Sequence, residues 1–384
     1  MGFVAVKGGE EAIKHSLGLF EEEFISEEIS LDSVCRGMHL GVDRVMSEGS
    51  LYSKKLAAKS LIKASGDTFN AAFFLRAHRS SCERIGVAKC VDTDSMRLVR
   101  RISSAFKEIE GGQILGANND YQIKLLNTQN PTKAAHLAQY DKRDKILPSA
   151  LKTLREAGYI RKHEREESPD DITRVFPTPP YSRSAMMQAM SRGESGSMLG
   201  FAYTSMRGYG DIHPTIGDLR LGSVAVRFTH PITQKEVVIG EIEVSAVECV
   251  GEVETQLDGS VKLNTGFGFC FGFNETKAIC MGILDLNLYA TRHRENAQHF
   301  ASSCEMILHH IDGVDSMGFA NHYKLPHYVT FQAILQVFEK ANAFRQSKQE
   351  AGLEDSKNDE ESTQQDSKNQ ECSYEREYTQ KGVL

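Results

Sequence analysis

The stretch Thr265-Gly266-Phe267-Gly268-Phe269-Cys270-Phe271-Gly272-Phe273 permits very few folds. Large aromatic and small residues alternate with period two, and only an extended strand places every second side chain on one face. The Phe face reads as core and not as a base-stacking platform, because aromatic residues favour half-buried strands. Two strands precede it. Val224, Val226 and Phe228 alternate with small or polar residues, Val238, Ile242, Val244 and Ala246 do so less perfectly, and residues 231–235 supply the hairpin loop. Asn274 then caps a helix carrying Glu275, Lys277 and Asp285, and a further helix is expected around residues 300–311.

The first third of the chain has a different period. Ile13, Leu17, Phe20 and Phe24 form a helical stripe after a short apolar strand, Phe3 to Val6, and the turn Lys7-Gly8-Gly9. Strand, glycines and helix in that order can cradle a phosphate, although P-loop spacing is absent. From about Leu31 to Phe106 the pattern is read as helical, with Val34, Met38, Val42 and Val45 on one stripe and Phe69, Ala72, Phe73 and Ala77 on another. Arg76, Arg79, Arg84, Arg97, Arg100 and Arg101 accumulate there, facing either a polyphosphate, a partner or solvent. Glycines at 111, 112 and 116 end this region. The organisation expected is therefore α+β: a helical N-terminal region over 1–110, a mixed sheet-and-helix region over 111–345, and an acidic tail over 346–384 too poor in apolar residues to fold.

Between these regions a helix from Ser149 to Ala157 stops at Gly158 and continues as Tyr159-Ile160. Helix, glycine, strand is also a winged-helix order, but Glu164, Glu166, Glu167, Asp170 and Asp171 follow, and DNA phosphates would repel them. Residues 181–222 are the richest polar stretch, read as a binding loop with Ser182-Arg183-Ser184, Arg207-Gly208-Tyr209-Gly210, His213-Pro214 and Arg220.

Charge and cysteine usage narrow the setting. The net charge is -7, and the tail from residue 345 holds six basic against ten acidic residues, leaving the body at -3, too near neutral for a general polyanion binder such as a nucleic-acid protein. Eight cysteines without a Cys-x-x-Cys pair read as reduced thiols, and no stretch has the length of a membrane span, so a soluble cytoplasmic protein is expected.

His322 and His327 flank Pro326. Five positions apart, they share neither a helical nor a strand face, so convergence requires a bend, which Pro326 and its effect on Leu325 provide. A helix follows, with Phe331, Ile334, Leu335, Phe338 and Phe344 at helical spacing and Thr330 as its expected cap. On spacing alone the pair reads as a polar loop, since zinc takes three or four ligands and two are visible.

Several segments, in one order over residues 1–340, resemble subunit I of the bacterial carbon-phosphorus lyase core complex. They are Val4-Ala5-Val6-Lys7-Gly8-Gly9-Glu10, Asp43-Arg44-Val45-Met46, Ala64-Ser65-Gly66-Asp67, Met96-Arg97-Leu98 with Arg100-Arg101-Ile102-Ser103, and Pro169-Asp170-Asp171-Ile172-Thr173-Arg174. Ser182-Arg183-Ser184, Arg207-Gly208-Tyr209-Gly210, His213-Pro214 and His322 to Gln332 follow. The resemblance implies a component that helps transfer the ribose 5-triphosphate of ATP to methylphosphonate with release of adenine. Alone it implies a purine nucleosidase acting on ATP or GTP. It also implies work beside subunits G, H, J, K and L, and zinc at a subunit interface held by His322 and His327. A non-catalytic, zinc-bearing scaffold of the same assembly is the alternative.

That chemistry passes through an oxocarbenium-like centre, which a carboxylate stabilises while an acid protonates the leaving base. Glu241, Glu248 and Asp285 are the candidate carboxylates and His213 the candidate acid. Lys7, Arg183, Arg207, Tyr209 and Arg220 are the candidate contacts to phosphate and phosphonate oxygens. After Glu275 the chain departs from the family pattern, with Thr276-Lys277 where an Arg-Lys pair is expected.

Overall fold

The helices over residues 31–80 bury apolar faces that their sequence spacing already pairs, whereas Ile13, Leu17 and Phe20 of the first stripe are exposed. A computed structural model describes residues 9–24, 29–118, 120, 146–163, 166, 168–207, 213–255, 259–292 and 303–350. The strand expected at Phe3 to Val6, with Lys7, lies outside them, as do Tyr209 and the tail beyond Glu350. The chain divides into two compact units, Met1–Asn321 and His322–Leu384.

In the first unit α1 (Glu10–Phe24) leads to α2 (Leu31–Gly37), α3 (His39–Gly49), α4 (Lys54–Lys63) and α5 (Thr68–Ser80). The Ser53 hydroxyl accepts the Leu56 amide and the Asp67 carboxylate accepts those of Phe69 and Asn70, which starts α4 and α5. Val42, Val45, Met46, Ala57, Ala58, Leu61, Ala71 and Leu75 form their common core. Helix does not continue to Phe106 as the sequence predicts. α5 ends at Ser80, and Arg97–Ile102 is strand β1. Arginine is a good helix former, so local propensity favours helix there, but pairing with the sheet overrides it.

α6 (Lys152–Glu156) ends at Gly158, whose φ of +78° suits the residue that can adopt it freely. Residues 181–206 are not the irregular loop expected. They form α7 (Arg183–Arg192) and α8 (Ser195–Met206), because Met186, Met190, Met198 and Ala202 recur at helical spacing and enter the core under the sheet. Strands β2 (Thr215–Thr229), β3 (Glu236–Thr255) and β4 (Val261–Phe271) follow, and the sheet is antiparallel in the order β1-β2-β3-β4. The hairpin loop falls at residues 230–235, one residue from the predicted start.

α9 (Glu275–Arg292) lies against β4 at its glycines. A Cβ on Gly266 would stand 2.0 Å from the Gly282 carbonyl oxygen, and one on Gly268 1.9 Å from that of Ala278. The other face of β4 carries the phenylalanines, Phe267 stacked on Phe269 with ring centres 6.3 Å apart, and Phe271 edge-on to Tyr52. α10 (Cys304–His310) and α11 (Gly313–His322) complete the helices before the second unit, which holds α12 (Tyr328–Glu350). α12 starts two residues before the expected cap Thr330 and runs past residue 345. The architecture is α+β, and no described helix is long and apolar enough to cross a membrane.

Gly268→Ala is expected to cost about 1–3 kcal/mol by overpacking the β4–α9 contact, read as a lower midpoint in thermal or denaturant unfolding. Gly240→Ala, where nothing lies within 4 Å of the new Cβ, serves as the tolerated control. Equal midpoints for the two variants would show that α9 moves away at no cost.

Candidate active site at the edge of β4

β4 is an edge strand, so its outward backbone groups need partners other than a fifth strand. Tyr159 to Arg161 supply some of them, accepting the Leu263 amide at 2.7 Å and donating to the Leu263 carbonyl at 3.0 Å. His163 Nε2 lies 3.0 Å from the Thr265 carbonyl. The Phe267 amide donates to Asp285 of α9 at 2.8 Å. A cavity of 620 Å³ opens along this edge, lined among others by Arg155, Arg161, Lys162, His163, Arg183 and Glu248.

Three of the predicted site residues meet here. Arg183, the first residue of α7, directs its guanidinium onto Asp285 through Nε at 3.2 Å and through Nη2. The Asp285 side chain is 2% exposed and that of Arg183 26%, so the buried carboxylate holds an arginine that still reaches the cavity. Glu248 on β3 stands directly across from Phe267 in the β3–β4 register. Its carboxylate accepts the Ser149 hydroxyl at 2.6 Å and pairs with Arg155. The start of α7 is fixed by Ser182, whose Oγ accepts the Ala185 amide at 3.0 Å, and by Glu166, whose Oε1 accepts the Arg183 and Ser184 amides.

The sequence reading missed His163 and Glu166. To donate to the Thr265 carbonyl, His163 must carry its proton on Nε2. Burial and then the positive charge of Arg183 hold its pKa below the ordinary histidine value, so the ring is neutral near pH 7. Glu166 was read only as part of an acidic run, and its second oxygen is buried with no hydrogen-bond partner among the described residues. The run Arg161-Lys162-His163 immediately after a glycine stop was the signal available.

The other predicted residues lie elsewhere. Glu241 is exposed on β3 and pairs with Arg97 at 2.9 Å. Arg220 is 4% exposed and hydrogen-bonds to Asp218 at 2.8 Å and to the Thr93 carbonyl at 3.1 Å, so its donors serve the fold. Arg207 ends α8 with its guanidinium 5.9 Å from the Tyr203 ring centre, and His213 is exposed just before β2. One exposed thiol, Cys90, lines the cavity, while Cys249 and Cys280 do not. Burial pushes the Cys249 thiol up to about 12 and that of Cys280 to about 11, so both stay protonated.

In the second unit the bend at Leu325-Pro326 brings the His322 and His327 rings to 5.2 Å between centres. Two imidazoles on one tetrahedral zinc, with Zn–N of about 2.0–2.1 Å, would place their centres roughly 5 Å apart. His327 Nδ1 lies 2.6 Å from the Leu325 carbonyl, a bond that fixes the proton on Nδ1 and leaves the lone pair on Nε2. No group of three or more metal-ligating side chains occurs among the described residues, so the pair does not by itself complete a tetrahedral site.

The family model of the bacterial phosphonate metabolism protein PhnI matches residues 2–345. The chain belongs to the PhnI family. It is 41% identical over 355 residues to the "Putative C-P lyase subunit protein HtxH" of Stutzerimonas stutzeri, covering 87% of this chain and 94% of that one. It is 37% identical to the alpha-D-ribose 1-methylphosphonate 5-triphosphate synthase subunit PhnI of Escherichia coli, covering 88% and 98%. The protein of that name from Rhizobium meliloti is 33% identical, covering 92% and 99%. The cavity and both histidines fall inside the matched PhnI span.

The depressed pKa of His163 carries a sign. As pH falls through the ordinary value of 6.5, the unfolded chain takes up a proton that the folded chain refuses, so stability drops with acidification. His163→Gln is expected to flatten that slope in denaturant unfolding between about pH 7.5 and 5. An unchanged slope would show that His163 is protonated in the folded state.

Proposed function

We propose that the chain serves in the carbon-phosphorus lyase pathway, helping to move the ribose 5-triphosphate of ATP onto methylphosphonate with release of adenine. Isolated, it would act as a purine nucleosidase on ATP or GTP. The observation that carries this reading is the cavity at the β4 edge, where guanidinium groups stand beside Glu248 and a neutral His163. The printed names of two relatives, subunits of a ribose 1-methylphosphonate 5-triphosphate synthase, supply the reaction class.

In this reading the C1′–N9 bond breaks and a phosphonate oxygen bonds to C1′. The electron pair leaves with the purine, which takes a proton. Arg183, Arg161 and Lys162 bind phosphate or phosphonate oxygens, and Asp285 is a positioning residue acting through Arg183. Glu248 faces the developing positive charge, with Arg155 and Ser149 holding its carboxylate in place. The acid is His213, since the neutral His163 has no imidazolium proton to give. Lys7, Tyr209 and Arg207 remain proposed contacts to the triphosphate. His322 and His327 would hold zinc, with other ligands from a partner subunit, substrate or water, and the metal would act as a Lewis acid on an oxygen ligand. α12 begins at the next residue, and its Phe331, Ile334 and Phe338 are each 61% exposed, an apolar stripe suited to a partner subunit.

The scaffold alternative also has an observation in its favour, since Glu248 and Asp285 are both already paired with arginines. Base release from ATP and GTP, with and without methylphosphonate and partner subunits, separates the two. Glu248→Gln is expected to slow base release by about a hundredfold or more while the assembly still forms. Unchanged release in an intact assembly would leave the chain as a scaffold. A separate measurement bears on the metal. His322→Ala or His327→Ala should lower zinc bound per assembled complex without moving the unfolding midpoint, and unchanged zinc in both would return this bend to a backbone-bonded polar loop.

A further inference from the structure

A second cavity, of 970 Å³, shares Pro169 with the first and is lined among others by Arg79, Arg84, Arg174 and Arg192. The charges around it are unevenly matched. Arg84 is held by Asp171 and by the Thr173 hydroxyl, at 2.5 and 2.7 Å, and the Thr173 hydroxyl bonded to Asp171, then Arg84, bring the Asp171 pKa down to about 2. Behind the cavity Arg76 takes both oxygens of Asp312, at 3.0 and 2.9 Å, and Asp312 also accepts the Val314 and Asp315 amides at the start of α11. Arg192 is left with the same carboxylate at 3.4 Å. Arg79, half-buried between them, makes no hydrogen bond or close ion pair among the described residues. Asp170 and Glu83 also line the cavity, but the Asp170 carboxylate accepts the Ser182 hydroxyl and Glu83 is exposed.

Burial and the like charges of Arg76 and Arg84 hold the Arg79 pKa below the ordinary arginine value. Guanidinium is effectively always charged, so the group keeps its charge and the repulsion remains. Arg84, Arg174 and Arg192 already have Asp171 or Asp312 within 4 Å, so Arg79 is the guanidinium an added anion would serve, and one with several oxygens suits planar forks approaching from different sides. Ser50 adds a hydroxyl to the lining, whereas the Ser80 hydroxyl and the Gln188 amide already donate to the carbonyls of Ala77, Asp170 and Ser184.

We propose that this cavity binds a phosphate-class polyanion, with Arg79 as its central contact and Arg84 and Arg192 at its sides. The site is separate from the candidate active site and does not require the reaction assigned there. Its ligand is the phosphate chain of a nucleotide or free polyphosphate, which share one recognition chemistry.

Titration calorimetry of the full chain with tripolyphosphate, ATP and inorganic phosphate tests the assignment. Because the β4-edge cavity also holds cations, the titrations are repeated in an Arg183→Ala background. Arg79→Ala is expected to weaken tripolyphosphate at least about tenfold, with Arg79→Lys intermediate, and the Arg79-dependent event should persist without Arg183. Equal affinities for ATP and tripolyphosphate would assign the phosphate chain alone, and ATP bound about tenfold tighter would assign a nucleotide. Should Arg79→Ala fail to fold, Arg84→Ala reads the same event. No binding to wild type, or affinity unchanged in both arginine variants, overturns the site. Capture of a partner subunit lost on Arg79→Ala with polyphosphate affinity unchanged would replace it with an acidic protein surface. Absent base release would count against the reaction alone and leave this binding result standing.

Discussion

The distance between α9 and β4 governs the position of the candidate-site groups. Glycines at 266 and 268 remove every side-chain atom from that contact, and the helix backbone comes within reach of the strand. Only at this separation does a residue as short as Asp285 reach round to the Phe267 amide on the strand edge. Its second interaction, with Arg183, then ties the start of α7 to the same point. Cys249 and Leu286, close to Gly282 and Gly266, fill the remaining volume, so a larger residue at either glycine has nowhere to displace.

Around that contact the fold is specified by buried charge to an unusual degree. Arg101 and Asp218 are 0% and 1% exposed and lie 3.5 Å apart, with Arg220 sharing Asp218 at 2.8 Å. Arg44 joins Glu48 at 2.9 Å and also Glu194, and Glu48 in turn accepts the Ser195 amide and hydroxyl. Lys277, fully buried, donates to Ser47 at 2.7 Å, and burial lowers its pKa. Removing one partner of such a pair costs about 3–5 kcal/mol, because the remaining charge stays buried. These pairs bridge elements far apart in sequence, α3 to α8, α3 to α9 and β1 to β2, and they define which helix face meets the sheet. Lys277 also shows that the Thr276-Lys277 departure keeps the lysine at a buried position where a charge has partners.

The parts of this design legible in the sequence are those with a local period. Alternation in residues 224–228 and 265–271 identified strands, and Gly158 marked a helix stop, because each depends on a few adjacent residues. β1 was not legible, since Arg97, Arg100 and Arg101 resemble a solvated helix until Asp218 and Glu275 arrive from more than 100 residues away. α7 and α8 were hidden by Gly193, Gly196 and Gly200, which read as turns, although Met186, Met190 and Met198 already had helical spacing. The site was divided in the same way. Arg183, Glu248 and Asp285 could be nominated by residue type, but no local pattern says that His163 bonds to β4 or that Glu166 caps α7. At His322 and His327 the bend itself was readable, because Pro326 imposes it locally.

α7 links the two cation-rich cavities mechanically. Its first residue, Arg183, lines one and its last, Arg192, lines the other, and ten helical residues rise roughly 15 Å. Met186 and Met190 between them are 2% and 0% exposed, which pins the helix in the core and prevents it from sliding along its axis. Each end is held from outside as well, Arg183 by Asp285 and Arg192 by Asp312. The spacing of the two arginines is therefore set by a rigid element and not by a loop, and a ligand that pulls on one end acts against the packing of the whole helix. A loop with the same two residues would pay conformational entropy each time it presented them together, whereas α7 has met that cost on folding.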